Sequence, residues 1–224
     1  MLLVHHLENS RSQRLLWLLE ELGVDYDVRR WDRDPNTRLA PPALRKIHPL
    51  GKAPLLDDNG TIIAESGAIF EYLLERHDDG RLVPGTDTKE RHDYRYWMHY
   101  AEGTFMPFMV LSLIMGRIES TKMPFFAKPI ANRIVAAVRT GFLDDNIRRN
   151  LEHMEASLAG REWFCGDAMT AADIMMSLPV EAAAIRVGLD ERYPALAGFA
   201  ERIHALATYQ RAIEKGGPYE LIGG

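Results

Sequence analysis

The stretch Leu2-Leu3-Val4-His5-His6-Leu7-Glu8-Asn9-Ser10-Arg11-Ser12-Gln13-Arg14 and the residues after it decide the fold. Leu2 to Leu7 is short, apolar-rich and compatible with a strand, and it stops at Glu8-Asn9-Ser10. From Arg11 the period changes to 3.6, with Leu15, Leu18, Leu19 and Leu22 on one helical face and Arg11, Arg14 and Glu21 as polar positions around it. Ser10 with Gln13 three residues later has the form of a capping box, and Gly23 is the C-terminal stop. Tyr26, Val28 and Arg30 then alternate with Asp27, Arg29 and Trp31, as in a strand. Strand, helix and strand at this spacing make a βαβ unit, so the two strands are expected to be parallel.

Beyond this unit, Asp32 to Pro42 reads as a loop and Ala43 to Ile47 as a short helix. His48 to Pro54 leads into a strand at Leu55-Leu56-Asp57, Asn59-Gly60 marks a tight hairpin, and Thr61 to Ala64 is the return strand. Glu65-Ser66 opens a helix with Ile69, Tyr72 and Leu73 on its apolar face. Asp79-Gly80 and Pro84-Gly85 punctuate a linker, after which the patterns are helical. They run from about Thr88 to Gly116 with a kink at Pro107, from about Phe125 to Leu158, Thr170 to Val187, Ala195 to Leu206 and Tyr209 to Lys215. The expected organisation is an α/β domain over 1–80, a linker over 81–87 and an all-helical domain over 88–224.

Composition narrows the function classes. Hydrophobic residues at 46% and charged residues at 26% are ordinary for a globular chain, which excludes collagen-like and low-complexity readings. A net charge of -5, with 27 basic residues interleaved among 32 acidic ones, argues against nucleic acid as a partner. Cys165 is the sole cysteine, so a disulfide or a cysteine zinc site within the chain is excluded and a cytoplasmic setting is expected. The first apolar run is too short for a signal peptide, and the run from Met109 to Met115 is far short of a membrane span, so no membrane partner is expected. Adjacent His5 and His6 point to opposite faces of a strand, and no metal is expected.

Taken alone, the polar residues have bland readings: Ser10 caps a helix, Glu65-Ser66 is a cap pair, and Lys52 is a solvated loop lysine. Thr170-Ala171-Ala172-Asp173 has the form of a capping box with Asp in place of Glu and reads as structural. Four segments taken in order change the first set of readings. They are His6 to Arg14, the Gly51-Lys52-Ala53-Pro54-Leu55 approach to the third strand, Glu65-Ser66 before a helix, and Gly166-Asp167-Ala168-Met169-Thr170-Ala171-Ala172-Asp173. With these, the chain resembles the cytosolic glutathione transferases of serine type over essentially its whole length.

The resemblance implies a thioredoxin-like N-terminal domain that binds glutathione as co-substrate, and an all-α C-terminal bundle that shapes a pocket for a small apolar electrophile or hydroperoxide. It implies a homodimer and no prosthetic group. Ser10, at a strand-to-helix junction where backbone N–H groups and the helix dipole favour an anion, becomes the candidate for stabilising the glutathione thiolate, with Asn9 and Ser12 as alternatives. Pro54 is implied to be cis, with Ala53 presenting its backbone to the cysteinyl unit of glutathione in the manner of an added strand. Ser66 and Glu65 are implied to hold the γ-glutamyl end, and Lys52 and His48 the glycyl carboxylate. His48 stands where the family often has Asn, and Ala53 where Val is frequent. Asn9, Tyr100, Phe105, Met106 and Met109 are the candidates for the second-substrate pocket. A non-catalytic binding protein on the same fold is the alternative function. A glutathione-dependent thiol reductase or peroxidase is a further one, although no cysteine lies between Glu8 and Ser12.

Overall fold

The strand, helix and strand of the opening stretch form the parallel unit its pattern predicts. In the computed structural model, which describes residues 1–189 and 191–220, β1 (Leu2–Leu7) runs parallel to β2 (Tyr26–Trp31), from Leu2 opposite Tyr26 to Leu7 opposite Trp31. Helix α1 (Ser12–Leu22) makes the crossover and ends at Gly23, whose φ of 64° is a left-handed cap conformation that glycine adopts without steric cost. A single 3₁₀ turn covers Pro42–Lys46. Strands β3 (Leu55–Asp58) and β4 (Thr61–Ala64) form a hairpin through Asn59 and Gly60, both at positive φ, and β3 pairs antiparallel with β1. The sheet order is β2-β1-β3-β4, and α2 (Ser66–His77) follows it.

The start of α1 differs from the capping box that the sequence predicts. The cap position is Arg11, in helical conformation and without a side-chain cap bond, and the Gln13 amide is buried with neither of its polar atoms bonded. Asn9, at φ 48°, turns the chain so that the Ser10 hydroxyl accepts the Ser12 N–H at 3.2 Å instead. Nor is Arg14 on a polar face: it is 1% exposed. The reason is tertiary, because α1 is packed by the sheet and α2 and also by the helical half, so the whole run from Ser12 to Leu19 is buried.

The helical half is built from α3 (Lys89–Tyr100), α4 (Met106–Ser120), α5 (Lys128–Val138), α6 (Asp144–Leu158), α7 (Ala171–Arg186), α8 (Pro194–Ala205) and α9 (Ala207–Gly216). The two long helices that the pattern predicts are each divided by a π turn. Ala101–Phe105 separates α3 from α4, with the Met106 N–H bonded to the Ala101 carbonyl, and Arg139–Leu143 separates α5 from α6. Pro107 follows the first π turn and has no N–H to give to the previous turn, so the ladder resets just before it. The run from Lys89 to Ser120 is long and apolar enough to cross a membrane by composition alone. Its buried residues, among them Tyr94, Trp97, Phe105 and Met109, instead belong to the core of the helical half.

Helix α7 is the central helix of that half. Its start has the predicted box: the Asp173 carboxylate accepts the Thr170 N–H at 2.8 Å, the Thr170 hydroxyl at 2.9 Å and the Phe164 N–H at 2.8 Å. Complete burial raises the Asp173 carboxyl to about 6, with these hydrogen bonds opposing the rise. Farther along α7, the buried Glu181 accepts the hydroxyls of Tyr209 and Tyr219 and lies 3.1 Å from His204 Nε2. Glu181 thereby ties α8, α9 and the segment after α9 to one carboxylate. Helix α9 packs directly on α1, which joins the two halves.

Candidate functional site

A cavity of about 630 Å³ opens between the two halves. One side is built by the loop after β1 (Asn9, Ser10, Arg11), the stretch after β2 and the approach to β3 (Gly51, Lys52, Ala53). The other side is apolar, with Met106, Val110 and Leu113 from α4 and Leu178 and Ala182 from α7. Arg11, Arg33, Arg45, Lys52 and Arg186 bring positive charge to the wall, against Asp34 as the one acid there among the described residues.

Ser10 reaches this wall because Asn9 bends the chain out of β1 before α1 begins. Its Oγ accepts the Ser12 N–H and lies 2.8 Å from Ser12 Oγ. Ser12 has a different place: it is fully buried, and its hydroxyl meets the Leu7 N–H at 3.1 Å, the Leu7 carbonyl at 3.2 Å and His6 Nδ1 at 2.9 Å. Ser12 therefore supports the loop from behind while Ser10 faces the cavity. Burial, then the charge of Arg30, lower the His6 imidazole to about 4, with the Gly216 backbone opposing, so this ring is neutral at ordinary pH. Arg33 clasps the same loop, donating to the carbonyls of Glu8 at 3.1 Å and Asn9 at 3.2 Å. The Asn9 side chain accepts the Glu220 N–H at 2.8 Å.

Of the other predicted residues, Lys52 and Ala53 line the cavity, and the peptide between Ala53 and Pro54 is cis. Leu55 is the first residue in register, opposite His5 and Ala64, so Ala53 and Pro54 stand just before the ladder. Glu65 is exposed, with φ 73° and ψ 129°, a backbone that non-glycine residues rarely adopt and that costs on the order of 1–3 kcal/mol. Ser66 is buried as the first residue of α2, with its Oγ 3.5 Å from an Arg14 nitrogen. Glu65, Ser66, Pro54 and His48 are outside the wall of the large cavity; the His48 carbonyl closes a turn with the Gly51 N–H at 2.8 Å.

The second-substrate candidates divide. Met106 lines the cavity with Asn9, whereas Tyr100, Phe105 and Met109 are buried in the core and do not reach it. The physical reason is helix phase. The π turn inserts one extra residue per turn before Met106, which rotates Phe105 and Met109 inward and brings Met106, Val110 and Leu113 to the wall. The Tyr100 hydroxyl is taken by Asn150 of α6.

Sequence reasoning missed two charged residues that hold the site. Glu102, in the π turn, pairs with both Arg11 and the buried Arg14, and Arg14 also donates to the Met175 carbonyl at 2.7 Å. Burial opposes ionisation of Glu102, but Arg14 and Arg11 outweigh it and hold the carboxyl below the usual carboxylate range. A lone acid within the aromatic and Met stripe from Tyr100 to Met109 was the available signal. The other missed residue is Arg186, at the end of α7.

Comparison with known proteins matches residues 1–75 to the family described as Glutathione S-transferase, N-terminal domain, and residues 143–207 to Glutathione S-transferase, C-terminal domain. The chain is 37% identical to Glutathione S-transferase 3 of Schizosaccharomyces pombe over 183 residues, covering 82% of this chain and 74% of that one. It is 32% identical to Glutathione S-transferase 1 of Saccharomyces cerevisiae over 220 residues, covering 95% of this chain and 94% of that one. A crystal structure of a glutathione S-transferase from Actinobacillus pleuropneumoniae superposes with a TM-score of 0.81 at 32% identity, covering 99% of this chain and 95% of the other.

Proposed function

Because the chain belongs to the glutathione S-transferase family, we propose that it is a glutathione transferase in which Ser10 stabilises the glutathione thiolate for attack on a small, largely apolar electrophile. The observation that carries the assignment of Ser10 is the contrast with Ser12: Ser10 is on the cavity wall, and the Ser12 hydroxyl is buried and fully engaged. In this reading glutathione lies along Ser10, Lys52 and Ala53, with its carboxylate ends drawn to Lys52 and to the start of α2 at Ser66, and its amine to Glu65. The thiol loses its proton to solvent, and the Ser10 O–H donates to the resulting sulfur anion. The sulfur pair then forms a bond to an electrophilic carbon, expelling a leaving group with its electron pair, or adds across a double bond, after which the carbanion takes a proton from solvent. With a hydroperoxide it attacks an oxygen, the O–O bond breaks and the alkoxide leaves as the alcohol; a second glutathione then converts the sulfenic acid to the disulfide and water. Holding both reactants against one wall supplies proximity, and the hydroxyl supplies charge stabilisation.

The test is the ultraviolet absorbance of bound thiolate in a pH titration of the protein with glutathione, run beside conjugation of aryl halides, enoates, epoxides and hydroperoxides. A bound thiol titrating below free glutathione, with turnover of one panel member, is the expected result. Glutathione binding with an unshifted thiol and no turnover would leave a binding protein on this fold.

We also infer a homodimer in the cytoplasm. The family resemblance supports the dimer, and the single cysteine, buried and with its thiol pushed up to about 12 by burial, suits a reducing compartment. A monomer mass in light scattering at micromolar protein would remove the dimer.

A further inference from the structure

Arg186 lies in the last turn of α7 and shares the cavity wall with Val110, Leu113, Leu178 and Ala182. Arg186 is half-buried, and its Nη1 donates to the Met109 carbonyl at 3.3 Å. Among the described residues it has no carboxylate in ion-pair range. Arg11 differs, because Glu102 holds its Nε at 2.7 Å. Burial first, then the charge of Arg11 and, more weakly, that of Arg117 lower the pKa of Arg186, with Tyr219 opposing, and Arg33 feels the same two arginines.

We propose that Arg186 receives an acidic group on the second substrate, so that the electrophile conjugated here is an apolar molecule bearing a carboxylate. This rests on the glutathione-transferase reading and narrows its substrate class. An electrophile with no charge would seal the guanidinium against hydrocarbon with one carbonyl as partner, and burying a cation without an anion is costly. A carboxylate removes that cost and relieves the repulsion among Arg11, Arg117 and Arg186, while its apolar body covers Met106, Val110 and Leu113. A planar guanidinium also meets a carboxylate through two parallel N–H bonds, which would fix the reacting carbon relative to the sulfur. Glutathione's own carboxylates do not need Arg186, since Lys52 and Arg45 line the wall beside Gly51 and Ala53.

The experiment compares chlorodinitrobenzene with its carboxylate analogue chlorodinitrobenzoate in the wild type, Arg186→Met and Arg186→Lys. The readout is the ratio of kcat/KM for the carboxylate over that for the neutral compound, corrected for their reactivity in solution. A ratio taken within one protein cancels any loss of folded material. The ratio should exceed one in the wild type and fall on the order of tenfold to a hundredfold in Arg186→Met, as expected for a charge-assisted hydrogen bond, with Arg186→Lys recovering part of it. An unchanged ratio, or a change confined to KM for glutathione, overturns the proposal. If neither compound reacts with the wild type, the transferase reading is what fails. Calorimetric binding of chlorodinitrobenzoate without glutathione then decides: weaker binding to Arg186→Met than to wild type sustains the anion site, and equal binding sinks it.

Discussion

Ser10 Oγ lies 2.8 Å from Ser12 Oγ, and Ser12 Oγ lies 2.9 Å from Nδ1 of the buried His6. Ser12 already accepts the Leu7 N–H, and Ser10 already accepts the Ser12 N–H. The single Ser12 hydroxyl proton has two acceptors in reach, the Leu7 carbonyl at 3.2 Å and Ser10 Oγ. In the arrangement that sends it to Ser10, both acceptor positions of Ser10 are filled and the Ser10 proton is left for the cavity. The inner serine and the histidine thus bear on which way the outer hydroxyl points, and none of the three needs to be charged.

Ser10→Ala should raise the bound thiol pKa by about one to two units and cut turnover steeply, because a hydrogen bond to a charged group is worth roughly 1.5–3 kcal/mol. Since Arg11 rather than Ser10 holds the cap position of α1, stability should change by no more than about 1 kcal/mol. Ser12→Ala should show the opposite balance. It strips partners from the buried Leu7 N–H and His6 ring, costing about 1–3 kcal/mol of stability, with a smaller rise in the thiol pKa. Thiolate absorbance and urea unfolding on both variants check this, and interchange of the two patterns would move the catalytic role to Ser12.

Glu102→Ala should destabilise the protein by about 3 kcal/mol, because it leaves Arg14 buried with only neutral partners. Double substitution Arg14→Met with Glu102→Ala removes both charges and should recover much of the loss. Additive losses in such a double-mutant cycle, read from unfolding midpoints, would show that the pair does not couple α1 to the π turn.

The fold was legible because its signals are local: the switch from period two to period 3.6 at Arg11, Asn59-Gly60 as a primed turn, Gly23 as a stop, and Thr170 with Asp173 as a box. Ser10 and the cis peptide before Pro54 came from the family resemblance, since a serine ahead of a helix is otherwise only a cap. What escaped depended on packing from outside the segment. Arg14 is polar in sequence, yet α1 is enclosed on both sides, and its counter-charge lies 88 residues away. A π turn changes helix phase without a composition signature, so Phe105 and Met109 turned inward and Val110 and Leu113 took the wall.

Gly216→Ala should loosen the seam between α1 and α9. A Cβ there would stand 2.5 Å from Gln13 Oε1, 2.9 Å from Leu16 Cδ1 and 3.3 Å from His6 Nε2. These neighbours are buried and cannot swing into solvent, so the end of α9 must lift, at a cost of about 1–3 kcal/mol. The readouts are the thermal midpoint and the hydrogen-exchange protection of α9. Unchanged values would mean that the seam absorbs a methyl group without moving.

His6 titrates at about 4 in the folded chain, against 6.5 for an ordinary histidine, with burial as the main cause. Between those values the unfolded chain holds a proton that the folded chain refuses, so this group's contribution falls as the pH drops, by about 3 kcal/mol in full. Asp173 acts in the opposite direction. Its carboxyl is raised from 3.8 to about 6, so the folded chain keeps a proton that the unfolded chain has lost, and its contribution is present at low pH and lost as the pH rises through about 6. The two terms nearly cancel over the same window. Asp173→Asn cannot ionise and also forfeits an acceptor at the start of α7, so it should be less stable throughout. It should also lose stability more steeply than the wild type between about pH 6 and about pH 4, because the His6 term is no longer offset. Urea midpoints across that window check the slope. Parallel curves for the two proteins would mean that Asp173 ionises in the folded chain at its ordinary pH.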